Sequence, residues 1–494
     1  MRIGQWLAVV GLALPFGIGC AAGDSPDTGL DRFYGQALEW KSCDVAKLDE
    51  AGAQCTDVTV PLDYSQPQGK TITVAISRIA ADPAHKQGVI LSNPGGPGGP
   101  GLDFMVDVGA AMTPDVKASY DLIGMDPRGV GRSTPVNCHW PRGFGLLSAG
   151  LDRAGFDESV ATQSDLATRC AEAEGERLPY ITTRNTARDM DVVRAALGAE
   201  KVSYYGTSYG TYLGAVFTQM FPERSDRIVL DSAVDPERYG PVHMMRDMGP
   251  ANEAALDLWA DWAAAHDGEY HFGSTREEVR AGVEDLVRRS AEKPIRIGAF
   301  EVDEHDLPLV LFTGLDSPDQ YTMVAEQWRQ LRDAADDKPV DISEELNKSL
   351  EFMISARPED SSPQMAIMCG DVEAPRDPEW YWRNIEAARA SQPVFGAFAN
   401  NLTPCAFWNP PAEPTTVVRN AVPALIVQST GDTRTTYNNG EGLHRALTAS
   451  RMVTLRDVPI HWIFGRYQNS CVYDAVNAYF RDGTLPATDI TCTK

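Results

Sequence analysis

Lys201-Val-Ser-Tyr-Tyr-Gly-Thr-Ser-Tyr-Gly-Thr-Tyr-Leu-Gly-Ala-Val-Phe-Thr-Gln-Met220 carries three patterns in succession. Lys201–Tyr205 is a β-branched and aromatic run of strand length. Thr211–Met220 has apolar residues at helical spacing and stops at Phe221-Pro222. Between them Gly206-Thr207-Ser208-Tyr209-Gly210 spells G-x-S-x-G. Strand, tight turn and helix with a serine at the apex is the context of a nucleophile elbow. The glycines let the backbone bend sharply and the helix approach, so Ser208 Oγ projects from the strand end. The bare pattern arises by chance in many chains as a Gly-rich turn; the flanking strand and helix make this one informative.

A serine needs a base, and the base an orienting acid. In the α/β-hydrolase architecture these follow in the order Ser, Asp or Glu, His. Two histidines lie near the C-terminus, His444 and His461. Ala424-Leu-Ile-Val-Gln-Ser429 is a buried-strand pattern followed by Thr430-Gly431-Asp432, which puts Asp432 at a strand's C-terminal end, where open α/β sheets gather ligands. A further strand-like run, Arg451–Leu455, leads through a loop to His461. Asp432 is therefore the expected acid and His461 the expected base. His444 falls in a helical pattern, Gly442–Leu447, and reads as a surface residue. Asp231, ending Arg227-Ile-Val-Leu230, is the rival acid. Asp457 is too close in sequence to His461 to come from its own strand.

The oxyanion hole is expected after another strand. Val89-Ile-Leu-Ser-Asn93 runs into Pro94-Gly-Gly-Pro-Gly-Gly-Pro-Gly101, a loop that cannot extend a ladder because prolines lack donors and glycines allow unusual φ. Such a loop aims bare N–H groups at a developing oxyanion. The expected donors are the N–H groups of Gly96 and of Tyr209, the residue after the nucleophile. Pro97 has none to offer. A flexible linker is the plainer alternative for this loop.

Across nearly the whole mature chain the sequence resembles the secreted tripeptidyl aminopeptidases, in the proline iminopeptidase branch of the α/β-hydrolase serine peptidases. The stretches that carry the resemblance are Val60-Pro-Leu-Asp-Tyr64, Asn93-Pro-Gly-Gly-Pro-Gly98, Asp126-Pro-Arg-Gly-Val-Gly-Arg-Ser133, Asp189–Gly198, Gly206–Gly214 and Ser470–Tyr479. The resemblance puts Ser208, Asp432 and His461 on the family's nucleophile, acid and base. Two loops depart from the family pattern. A Pro usually follows the Asp closely, where this chain has Asp432-Thr-Arg-Thr-Thr436; a Gly usually adjoins the His, where it has Ile460-His461-Trp462. Neither change removes a triad group, and both alter the loops that aim them.

With 494 residues, 43% hydrophobic and 9% aromatic, the chain can build a large core and is not of disordered composition. A formal net charge of −25 argues against nucleic acid as a partner, since a polyanion is repelled and no basic stripe offsets it. Residues 1–20 read as a signal peptide, with Arg2 before the apolar Trp6–Leu14. Gly17-Ile-Gly-Cys20 loosely resembles a lipobox, with Gly17 where Leu is usual. Lipidation of Cys20, with membrane attachment through residues 21–31 as a polar tether, stands beside ordinary secretion. Without Cys20, eight cysteines remain in an exported chain. They allow 105 connectivities, and neighbouring pairs are expected: Cys43–Cys55, Cys138–Cys170, Cys369–Cys405 and Cys471–Cys492. No C-x-x-C or H-E-x-x-H appears, so no metal or other cofactor is expected.

The expected fold is α/β: an α/β-hydrolase with a mostly parallel central sheet and a large, mainly helical cap insertion. Residues 32–235 form the first part of the core, 236–414 the cap and 415–494 the C-terminal part of the core. Asn252–Ala263 and Arg276–Val287 read as amphipathic cap helices. An aminopeptidase must recognise an ammonium group, and a carboxylate is its simplest partner. Glu301, Asp303, Glu304, Asp306 and Asp371 are candidates, and the resemblance favours Asp371 because family members carry an acid just after the matching Cys. In so acidic a chain, a solvated face is the ordinary reading of each. Trp380, Tyr381, Trp382 and Trp408 read as cap core. The resemblance implies an exported serine peptidase releasing short peptides, tripeptides above all, from free N-termini of peptide substrates. A proline iminopeptidase or carboxylesterase on the same triad is the alternative, and a surface binding protein that has lost catalysis the reading from another class. The sequence is silent on oligomeric state.

Overall fold

The computed structural model describes residues 29–357 and 360–494. Cys20, the leader and most of the tether lie outside the described residues. Nine strands form one sheet, in the order β1-β2-β4-β3-β5-β6-β9-β10-β11. They are β1 (Gln54–Pro61), β2 (Thr71–Ile79), β3 (Gly88–Asn93), β4 (Tyr120–Met125), β5 (Val202–Ser208), β6 (Ser225–Ala233), β9 (Ala424–Ser429), β10 (Arg451–Leu455) and β11 (Ile490–Cys492). A separate antiparallel ribbon pairs β7 (Ile295–Ile297) with β8 (Phe300–Val302). β2 runs antiparallel to β1 and β4, and every other pairing in the main sheet is parallel.

Central strands read as continuous apolar runs because helices cover both faces. Every residue of β4 and of β9 is buried. One face packs against the helix Tyr209–Met220 through Leu213, Val216 and Phe217; the other against Phe104–Ala111 and Ser470–Asp482 through Met105, Val108, Val472 and Phe480. Register then decides the site. Asn93 on β3 pairs with Gly206 on β5, Thr207 with Asp231 on β6, and Asp231 with Val427 on β9. The C-terminal ends of β3, β5, β6, β9 and β10 therefore lie side by side at one edge of the sheet.

Between β6 and β9 the chain is mostly helical. It includes His243–Ala265, Arg276–Glu292, Leu307–Gly314, Tyr321–Ala335, Ser362–Asp371 and Pro378–Ala388, besides the short ribbon. The long helix Arg153–Glu174, which falls in the part assigned to the core, packs on this region: Phe156 clusters with Tyr381 and Ile385, and its ring lies 5.3 Å from Trp382. In the structure Cys43 is bonded to Cys55, Cys138 to Cys170, Cys369 to Cys405 and Cys471 to Cys492. Among the described residues no helix is long and apolar enough to cross a membrane.

Candidate active site

Ser208 ends β5 and starts the helix Tyr209–Met220, with φ 57° and ψ −129°. A non-glycine residue holds such angles only where its surroundings fix them. The flanking glycines are required by close approach. A Cβ on Gly206 would lie 2.4 Å from Gly210 O, and one on Gly210 would lie 2.4 Å from Asn93 O. The Pro94–Gly101 loop folds directly over this turn: a Cβ on Gly95 would lie 2.8 Å from Ser208 Cβ and 3.2 Å from Tyr209 N. Gly95 N–H is spent on Asn93 Oδ1, at 2.9 Å. Neither Gly96 N–H nor Tyr209 N–H is engaged by another described residue. Both expected oxyanion donors are therefore unengaged among the described residues.

Asp432 follows β9 and is fully enclosed. Its Oδ1 accepts the Arg434 N–H at 2.8 Å and the Thr435 N–H at 2.9 Å, while Oδ2 accepts the Thr435 hydroxyl at 3.0 Å. Those donors fix the plane of the carboxylate. His461 Nδ1 lies 3.0 Å from both oxygens. With Nδ1–H given to Asp432, the lone pair is on Nε2, the nitrogen a general base must present. Ser208 Oγ and His461 Nε2 form no hydrogen bond here; such contacts are commonly loose before substrate binds. His461 and Thr207 share a cavity of about 280 Å³, also lined by Pro94, Phe104, Asp316 and Trp462.

The cap reaches this constellation. Asp316 accepts the His461 N–H through its carbonyl at 3.0 Å, and its carboxylate pairs with both terminal nitrogens of Arg466 at 3.0 and 3.1 Å. Arg434 donates to Asn252 Oδ1 at 3.0 Å and to Phe312 O, with its guanidinium 3.5 Å over the Phe312 ring. Burial lowers its pKa to about 10, against the opposing pull of Asp316 and Asp432, so it stays a cation at neutral pH. The Asp432-Thr-Arg-Thr-Thr436 departure thus supplies a latch between acid loop and cap. The sequence showed the Arg but gave no sign of its cap partners. The second departure also has a structural counterpart: Trp462, beside His461, sits at φ 66°, a conformation that favours glycine.

Other candidates lie elsewhere or are occupied. Asp371 is buried, with Oδ1 accepting the Thr183 N–H at 2.7 Å and Oδ2 accepting the Thr183 and Tyr239 hydroxyls at 2.5 and 3.0 Å. Burial pushes it up to about 7. Its hydrogen-bond donors are neutral, Arg184 is the cation whose charge it feels, and it lines a pocket with Thr183, Arg184, Tyr212 and Glu413 rather than the cavity of His461. Glu301 pairs with Arg296 on the surface, and buried Asp306 pairs with Arg142 at 2.7 Å. Asp303 accepts the His305 N–H, and buried Glu304 sits against Gly150 and Gly155. Trp380, Tyr381 and Trp382 pack in a cluster around Phe156, and Trp408 in the main core. His444 Nδ1 lies 2.6 Å from Ser450 Oγ, and Asp457 is exposed. Asp231 is buried beside the His461 loop but bonds its main chain, not its ring.

A serine elbow, a loop of free donors and an Asp–His pair at the C-terminal edge of a parallel sheet define an α/β-hydrolase. A family model described as TAP-like protein matches residues 392–492. The tripeptidyl aminopeptidase of Streptomyces lividans is 35% identical over 478 residues, covering 92% of this chain and 86% of that protein. Carboxylesterase B of Mycobacterium tuberculosis is 30% identical over 507 residues, covering 97% and 95%. The serine protease Hip1 of the same species is 27% identical over 481 residues, covering 93% and 91%. The chain belongs to the tripeptidyl aminopeptidase family and is a serine peptidase of the α/β-hydrolase type.

Proposed function

We propose that this chain is an exported aminopeptidase that releases tripeptides from free N-termini, with Ser208 as nucleophile, His461 as base and Asp432 as orienting acid. The observation that carries the triad is the enclosed Asp432 carboxylate 3.0 Å from His461 Nδ1, at the sheet edge where the Ser208 elbow ends. Ser208 Oγ attacks the scissile carbonyl while His461 Nε2 takes its proton. Gly96 and Tyr209 N–H groups hold the oxyanion. His461 then gives the proton to the departing amine, and water, activated by the same imidazole, hydrolyses the acyl-enzyme. Residues 236–414 act as the cap that limits entry. Three carboxylates line the cavity, Asp103, Asp107 and Asp316, against the single guanidinium of Arg466. Asp103 and Asp107 share Lys47. Set against Arg466 and Lys47, the three carboxylates leave one net negative charge, which suits a cationic substrate end. Export, with or without a lipid on Cys20, follows from the 1–20 leader.

The test is hydrolysis of Ala-Pro-Ala-p-nitroanilide, its N-acetylated form and a proline anilide, with Ser208→Ala as control. Release from the free tripeptide alone, lost in the variant, is the expected outcome. Similarity to Carboxylesterase B favours one second reading, an esterase. Ester hydrolysis with no release from any anilide would establish that reading instead.

A further inference from the structure

We infer that Asp231 is a positioning residue for His461, seating the base by gripping the main chain of the residues that follow it. This rests on the triad reading above. Asp231 lies at the C-terminal end of β6 with no exposed surface. Its Oδ2 accepts the Phe464 N–H at 2.7 Å, and both oxygens lie 3.2 Å from the Ile463 N–H. The next N–H in the row, that of Trp462, is bound by Ser232 Oγ at 2.8 Å, and the Ser232 hydroxyl lies 3.2 Å from Asp231 Oδ1. Three successive N–H groups after His461 are thus drawn, directly or through one hydroxyl, onto one carboxylate. Such a concave row of donors is an anion site, and a carboxylate fills it better than any neutral group.

The grip has something to hold. Trp462 at φ 66° and Ser232 at φ 57° are both left-handed, which a bulky residue keeps only under constraint. From the other side Asp316 O of the cap accepts the His461 N–H at 3.0 Å, and Arg466 Nη1 of the His461 loop donates to the His461 carbonyl at 3.0 Å. Asp432 holds the ring. Asp231 supplies the missing restraint, on the C-terminal flank of the histidine. Around it stand the Tyr205 hydroxyl from β5 at 2.9 Å, Tyr473 from the helix Ser470–Asp482, and His461, while Asp432, Asp316 and Arg466 approach His461 rather than Asp231. Burial raises Asp231 to about 6, with Phe464 N–H, Tyr205 and the Ile463 N–H opposing. Protonation there removes the charge that the N–H row converges on. The acid limb of activity then carries the proton on Asp231.

The test uses the full mature chain and the tripeptide anilide, with rates normalised to sites titrated by a fluorophosphonate. Asp231→Asn is expected to lower kcat by roughly 10- to 100-fold, with KM within about threefold, as displacement of a base by a fraction of an ångström does. Its acid limb should lose one proton of slope relative to the wild type. Ser232→Ala should lower kcat less. If Asp231→Asn yields no folded protein, Tyr205→Phe decides: losing a donor to the carboxylate should move the acid limb to higher pH, and an unmoved limb overturns the inference. Wild-type kcat and a wild-type acid limb in Asp231→Asn also overturn it. His461→Ala separates the two readings. An inactive His461→Ala beside an unaffected Asp231→Asn defeats this inference alone, whereas an active His461→Ala defeats the triad reading beneath it.

Discussion

Ser208, the proposed nucleophile, is held at the strand end by its neighbours. Its positive φ is forced by a turn whose two glycines have no room for a side chain, and Gly95 closes over it from the next strand end. Gly95→Ala would place a carbon 2.7 Å from Thr207 O and 2.8 Å from Ser208 Cβ, at φ 100°. The loop must then lift, taking the Gly96 donor with it. We expect kcat to fall by about 10²-fold or more, the usual effect of losing one oxyanion donor, with far-ultraviolet circular dichroism unchanged. Asp432→Asn keeps the shape of the acid but turns the imidazole toward the wrong tautomer. A fall in kcat of about 10⁴-fold is expected, read with the tripeptide anilide; a loss below tenfold would point to another acid.

Elements are tied together by interactions whose partners are far apart in sequence. Arg128 and Asp189 are both fully buried and joined through two bonds of 2.6 and 2.7 Å. The remaining guanidinium donors reach Pro61 O, Leu62 O and Tyr180 O, so one side chain links the end of β1, the loop after β4 and the helix Thr183–Ala196. Removing one partner strands the other charge. Asp189→Asn should cost about 3–5 kcal/mol, measured as a shift in urea midpoint, and Arg128→Lys should not substitute for the fork. Cys369–Cys405 does similar work in the cap, closing a separation of 36 residues. Replacing both with Ala should cost about 4 kcal/mol in the loop-entropy model. Denaturant unfolding of the double variant checks this, and a change well under 1 kcal/mol would show that the cap packs without it.

At the scale of the whole molecule, buried acids set the response to pH. Burial pushes Asp371 up to about 7 and Asp231 up to about 6. Unfolded aspartates ionise near pH ~4. Between those values the folded state binds more protons than the unfolded one, so stability falls as pH rises from about 4 to about 7 and levels off above it. The Asp371 share is at most about 4 kcal/mol. A net charge of −25 acts in the same direction, since acid relieves self-repulsion, and salt screens that part. In high salt, calorimetry should give a higher Tm at pH 5 than at pH 8. Asp371→Asn, fixed in the neutral form, should flatten that difference; an undiminished slope would place the titration elsewhere.

The sequence by itself determined the local grammar. Strand, turn and helix around Ser208, the strand before Asp432 and the Gly/Pro loop after Asn93 are each written within twenty residues or fewer. Their physical signals, periodicity and backbone freedom, are local. Tertiary structure decided what each polar side chain meets. In the sequence Asp371 reads as an ammonium partner and Asp231 as a rival acid, with nothing local to show what either carboxylate meets. Packing closes one among neutral hydroxyls and lays the other under the backbone of the His461 loop. The same holds for Arg434, whose cap partners, Asn252 and Phe312, lie more than 100 residues away. Burial and hydrogen-bond partnership depend on contacts between distant segments, and no window of sequence contains them.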